Sequence, residues 1–168
     1  MFSRRALAFF NVVRIICANR RKLNLMAAKS NILRNKTIIC GCSSLGVTIT
    51  NKFSTEGKNL MVIDKDPASF GRLSDRFSGY TIVGDVSDLE VLEEAGITSA
   101  KEIVITTDDD NLNLFVAHIA KKFYGVPNIY VRLSEPDNEV LLKGMDVKAI
   151  YPLELSYDKF NILRGGRK

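Results

Sequence analysis

The sequence predicts a doubly wound α/β domain: a parallel sheet covered by helices on both faces, joined to a basic N-terminal arm. Three observations carry that expectation. Short, almost continuously apolar and β-branched runs recur from Thr37 onwards, as strands buried on both faces require. Between them lie stretches with helix start and stop signals, so strand and helix alternate in the order that builds a parallel sheet. The whole fits within 168 residues, a length that suits one domain plus an appendage.

In chain order, TIICG (37–41) is the first strand, and LGVTITNKFSTEG runs as a helix to a glycine stop at Gly57. NLMVID (59–64) is the second strand, and DPASFGRLSDRF (66–77) reads as a helix capped by Asp66 with Pro67 in its first turn. YTIVG (80–84) is the third strand. SDLEVLEEAG (87–96) is a helix with Leu89 and Leu92 on one face and Gly96 closing it. EIVITT (102–107) is the fourth strand, DDNLNLFVAHIAKKFYG (109–125) a long helix, and NIYVRL (128–133) the fifth strand. EPDNEVLLKGM (135–145) reads as a further helix and AIYP (149–152) as a last short strand. In the tail, Leu153, Tyr157 and Phe160 recur three to four apart as one apolar helical stripe.

Charge divides the chain at the start of this pattern. The formal net charge is +5, but residues 1–36 hold nine Lys or Arg and no acid, leaving fifteen bases against nineteen acids in the rest. A mildly acidic domain offers no basic face to nucleic acid, and none is expected as a partner. Within the arm, ALAFFNVVRIIC (6–17) is apolar but well short of the roughly 20 residues that cross a bilayer. Three readings of residues 1–36 stay open: an amphipathic helix on a membrane surface, an Arg-rich organelle presequence, or a disordered extension.

Cys17, Cys40 and Cys42 form no CxxC pair. A Cys-x-Cys along one strand points both thiols to one face, a poor cage for a tetrahedral metal, so buried thiols in a reducing cytosol are expected and no metal. His118, among apolar residues on a predicted helix, is expected to pack or meet solvent.

In such a sheet, ligands lie beyond the carboxyl ends of the strands, where the strand order reverses. IICGCSSLG places Gly41 to Gly46 there, at the end of strand one and the opening of a helix, with backbone N–H groups and the helix dipole available to a phosphate. Gly41 permits the tight turn and Gly46 lets the helix pack on the strand. Ser43 stands where a middle glycine normally lets a pyrophosphate approach; its hydroxymethyl either crowds the phosphate or donates to it. Asp64 ends strand two, where a carboxylate accepts both ribose hydroxyls and repels a 2′-phosphate, disfavouring NADP.

The run IICGCSSLG…VIDKDP…VGDVSD…LEEAGI…TTDDDNLN…VRLSEPD resembles the regulator-of-conductance domains (TrkA-N, also called RCK or KTN) of potassium uptake systems, over residues 37–152. The resemblance implies a Rossmann-like fold whose loop, Gly41, Cys42, Ser43, Ser44, Leu45 and Gly46, holds phosphates. It implies ribose contact at Asp64, with Lys65 beside it, and adenine against Gly84 and Asp85. Thr107, Asp109, Asp110 and Asn113 match the feature at the end of strand four, and Arg132 the arginine ending strand five. The implied ligand is NAD(H), with ATP or ADP as the alternative. The implied partners are a membrane potassium channel or transporter subunit and further copies of the chain, with residues 153–168 as a dimer crossover; the other reading of that helix is that it covers the sheet's own edge. The implied location is cytoplasmic, at the inner face of the membrane. Two departures stand out. Ser43 and Ser44 replace the family's glycine and arginine, and its further carboxy-terminal sensing domain is not expected here.

Two other function classes compete with a regulatory subunit. An NAD-dependent oxidoreductase needs a proton donor or metal near the nicotinamide, and no Tyr-x-x-x-Lys or well-placed histidine supplies one. Asp108, Asp109 and Asp110 read instead as helix caps and dipole partners. An interaction protein with a vestigial pocket is the third class.

Overall fold

The computed structural model describes residues 35–165; the readings of the basic arm fall outside them, save that Lys36, given to the arm, opens the first strand. The strands are β1 (Lys36–Cys40), β2 (Asn59–Asp64), β3 (Tyr80–Val83), β4 (Ala100–Ile105), β5 (Asn128–Arg132) and β6 (Lys148–Ile150). The α-helices are α1 (Ser44–Thr55), α2 (Leu89–Glu94), α3 (Asp110–Lys122) and α4 (Pro152–Leu163). All strand pairs are parallel, in the order β3-β2-β1-β4-β5-β6. The order therefore reverses between β1 and β4. There Cys40 is level with Ile63 on one side and Ile105 on the other, so three strand ends stop together and leave a crevice at their carboxyl edge.

The punctuation residues do what their chemistry allows. Helix α1 ends on Gly57 (φ 71°) and α2 on Gly96 (φ 82°), both in the left-handed region that glycine enters without penalty. Asp66, Asp88 and Asp109 each accept a backbone N–H at the start of a helical segment. Two expected helices are not α-helices: Pro67–Arg72 and Pro136–Leu142 are 3-10 turns. Each has a proline in its first turn and one buried residue, Ser69 or Leu142. With so little apolar surface to bury, nothing rewards a longer helix.

Side chains alternate across the strands. Ile38, Cys40, Met61, Ile63, Ile103 and Ile105 face one layer, with Leu92 from α2 and Leu114, Val116 and Ile119 from α3. Ile39, Val62 and Val104 face the other, under Val47, Ile49 and Phe53 of α1 and Phe70 of the Pro67–Arg72 turn. The cysteines correct an expectation: Cys40 packs in the first layer and Cys42 in the second. The strand ends at Cys40 and the chain turns at Gly41 (φ 98°), so strand alternation no longer applies to Cys42. Both thiols are free and buried, and burial pushes the Cys40 thiol up to about 12.

Candidate functional site

The crevice at the strand-order reversal is an open cavity of about 450 Å³, within the range of small-molecule sites. Its first wall is the β1–α1 loop. A Cβ on Gly41 would lie 2.8 Å from the Thr107 nitrogen, and one on Gly46 would run into the Gly41 carbonyl and Thr106 Oγ1. The loop therefore lies hard against the end of β4, and Thr106 Oγ1 donates to the Gly41 carbonyl at 2.8 Å. No side chain fits at either position, and this is what brings the start of α1 down onto the strand.

Ser43 is the N-cap of α1, in extended backbone (φ −66°), and its hydroxyl accepts from Gly46 N–H at 3.3 Å. That geometry needs no glycine. The cap engages one oxygen lone pair and leaves the hydroxyl proton to donate. The N–H groups of Ser44 and Leu45 open the helix and have no carbonyl to meet within it. Neither residue lines the cavity, and neither does Gly46.

The second wall is the end of β2. Asp64 Oδ2 accepts from Cys42 N–H at 2.6 Å and Oδ1 from Asp66 N–H at 2.9 Å, while the Asp64 carbonyl accepts from Gly84 N–H at 3.0 Å. The carboxylate is thus fixed by the loop it faces, and each oxygen keeps a lone pair for a further donor. Lys65 lines the cavity beside it. Across from it, Asp85 accepts from Ser87 N–H and Oγ at 2.8 and 2.7 Å. The Ser87 N–H, then its hydroxyl, hold the Asp85 carboxyl below its ordinary value. Gly84 has no room for a Cβ because Val91 of α2 lies 2.8 Å from that point.

The third wall is the end of β4. Thr107 Oγ1 donates to Asn113 Oδ1 at 2.6 Å, and Asn113 Nδ2 donates to the carbonyls of Thr107 and Arg132 at 2.9 and 3.0 Å. Fully buried, Asn113 ties β4, β5 and α3 together. Thr107 and Asp109 line the cavity, whereas Arg132 does not. Its guanidinium donates to the Thr107 carbonyl at 2.8 Å and pairs with Asp108, so it braces the rim from outside. Asp108 is accordingly not a cap: it lines the cavity and holds Arg132. Asp109 is the cap of α3, and Asp110 accepts from the N–H groups of Ser134 and Glu135 at 2.9 and 3.1 Å. Burial alone would raise the Asp110 carboxyl, but those N–H groups outweigh it and hold it below its ordinary value. His118 lies on α3 with Nε2 3.0 Å from the Leu141 carbonyl, away from the cavity.

Sequence reasoning missed two lining residues with distinct chemistry, Ser69 and Arg72. Both sit on the Pro67–Arg72 turn, inside the stretch expected to be a helix; only the fold brings that turn against Cys42. Cys42 Sγ donates to the Ser69 carbonyl at 3.4 Å, and the Arg72 guanidinium donates to the Cys42 carbonyl.

Strand order, glycine loop and acid at the end of β2 together define a Rossmann-like domain with its cavity at the switch point. The chain belongs to the TrkA-N family, whose domain model matches residues 37–152. It is 29% identical over 122 residues to the Trk system potassium uptake protein TrkA of Streptomyces coelicolor, covering 73% of this chain and 55% of that one. The chain thus spans about half the length of that relative. Two solved structures share the fold. The TrkA-N domain of the inner membrane protein ybaL from Escherichia coli superposes with a TM-score of 0.70 at 16% identity, over 80% of this chain and 98% of that one. The GsuK channel bound to NAD superposes with a TM-score of 0.64 at 17% identity, over 78% of this chain and 24% of that one.

Proposed function

We propose that this chain is a nucleotide-sensing regulatory module of potassium transport. It binds NAD(H) in the switch-point cavity, with ADP or ATP as the alternative, and passes the occupied state to a membrane potassium channel or transporter subunit. One observation carries the reading: the glycine loop, too tight for any side chain at Gly41 or Gly46, meets the fixed carboxylate of Asp64 across one cavity. The residues suit the ligand. The Ser43 hydroxyl, at the start of α1, is a donor for phosphate, and Asp64 is an acceptor for ribose hydroxyls that repels a 2′-phosphate. Membership of the TrkA-N family supports a role in potassium transport, as does the name of the Streptomyces relative. NAD bound to the similarly folded GsuK channel supports the choice of ligand.

The role is regulatory rather than catalytic. The ionisable side chains lining the cavity are five aspartates, Lys65, Arg72 and a buried thiol, and the aspartates brace backbone N–H groups, Ser87 or Arg132. A change in occupancy acts on a partner only if the ligand binds two arrangements of the protein unequally. α4, which buries none of its residues on this chain, is the natural element to carry such a difference to a second copy. On this reading the chain works as a homo-oligomer at the cytoplasmic face of the membrane.

Calorimetric titration with NAD, NADH, NADP, ADP and ATP tests the proposal. NAD(H) is expected to bind, and NADP at least about tenfold more weakly. A chain that binds none of the five has a vestigial pocket, and the interaction-protein reading replaces this one.

A further inference from the structure

We propose that the Pro67–Arg72 turn is the phosphate-recognising wall of the cavity, with Arg72 as the residue that ties affinity to the ligand's phosphate. The inference rests on the nucleotide reading above and adds a residue and a wall to it.

The argument begins with charge. The β1–α1 loop, Gly41 to Gly46, contains no basic residue, and α1 has no basic residue before Lys52 in its last turn. Five aspartates line the cavity: Asp64, Asp66, Asp85, Asp108 and Asp109. Uncorrected, that rim repels a phosphate, and a few N–H groups at a helix start offset only part of the repulsion. Among the lining residues only Lys65 and Arg72 are cationic. Lys65 lies near Asp85, whose carboxyl its charge helps to hold down. Arg72 instead sits at the loop itself, with one guanidinium nitrogen donating to the Cys42 carbonyl. A guanidinium has five N–H donors in a planar fork suited to a phosphate's paired oxygens, so one bond to a carbonyl leaves donors to spare.

A second observation on the same turn points the same way. Ser69 is 9% exposed, lines the cavity, and its hydroxyl has no hydrogen-bond partner among the described residues. A buried hydroxyl without a partner is costly, and such groups mark places where a ligand or water completes the structure. Arg72 and Ser69 thus present a cationic fork and an unmet hydroxyl from one turn, which packs against Cys42. The turn's own acid, Asp66, accepts from Ala68 N–H as its cap. A phosphate beside the loop is then met by the Ser43 hydroxyl and by the turn.

The test is a ligand series on the full chain. Adenosine, AMP, ADP and NAD are titrated into wild type, Arg72→Ala, Arg72→Lys and Ser69→Ala. Arg72→Ala is expected to lower affinity for AMP, ADP and NAD about tenfold or more, as loss of a charge-assisted contact does, while adenosine affinity stays within about twofold. Arg72→Lys, which keeps the charge but not the fork, is expected to recover part of the loss. Ser69→Ala, which removes an unmet buried hydroxyl, is expected to melt at or above the wild-type temperature without ligand and to bind phosphate-bearing ligands a few-fold more weakly, consistent with one neutral hydrogen bond. Equal binding of AMP and NAD by wild type and Arg72→Ala overturns this inference and leaves the nucleotide reading intact. An equal loss for adenosine also overturns it, because Arg72 would then merely support the loop. A wild type that binds none of the four overturns both.

Discussion

Helices α3 and α4 differ by one residue in length and both carry large apolar side chains, yet the fold uses them in opposite ways. α3 buries Asn113, Leu114, Val116, Ala117, Ile119 and Ala120, and its start holds the third wall of the cavity. α4 buries nothing: Leu153 is 73% exposed, Phe160 54% and Leu163 74%. The difference teaches that apolar spacing announces a face in need of a partner without saying where the partner is. For α3 it is the sheet of the same chain. α4 buries none of its residues against the described chain, and the proposed homo-oligomer would supply its partner.

The comparison breaks or sharpens under substitution. Leu114→Ala, which opens a hole under α3, is expected to cost about 2–5 kcal/mol in urea unfolding. A cost below about 1 kcal/mol would mean that α3 is no more committed to the core than α4. Next in size is Asp110, whose carboxylate pins the segment after β5 to the start of α3. Asp110→Asn is expected to cost about 1 kcal/mol at neutral pH. Its folded pKa is depressed, so the contribution is complete above the ordinary carboxylate pKa of about 3.9 and disappears as pH falls through the lower folded value. The gap between wild type and variant should therefore close only in acid; a gap unchanged down to pH 2 would contradict the role. Smallest is Phe160→Ala, expected to cost under about 0.5 kcal/mol in dilute protein. If α4 pairs with a second copy, that cost grows with concentration. Light scattering at tens of micromolar should then show a dimeric wild type and a folded, monomeric Tyr157→Asp, Phe160→Asp variant. A monomeric wild type would remove α4 as an interface in the isolated protein.

Much of the fold was legible in the sequence because a parallel strand buried on both faces must be apolar through its middle, as TIICG, NLMVID and EIVITT are between their ends. The acid at Asp64 and the glycines at 41 and 46 were readable for a related reason: each answers a local demand, a strand end or a turn that tolerates no Cβ. What could not be read depends on contacts distant in sequence. Ser43 looked like a substituted glycine and proves to be a helix cap. Arg132 looked like a pocket residue, but its guanidinium turns to Thr107 and Asp108 from outside the rim. Ser69 and Arg72 fell within an expected helix, and only the proline-led 3-10 turn sets them against Cys42. Cys42 looked like a strand residue until the left-handed turn at Gly41 swung it to the opposite layer.

The central claim is that the loop and Asp64 form one nucleotide site, and affinity for NAD in wild type and Asp64→Ala tests it most directly. Asp64 holds the loop through Cys42 N–H and is the acceptor assigned to ribose. Its removal is therefore expected to weaken NAD binding at least about tenfold, roughly 1.4 kcal/mol, and to narrow the preference for NAD over NADP. Wild-type affinity in Asp64→Ala, with the discrimination against NADP intact, would contradict the account.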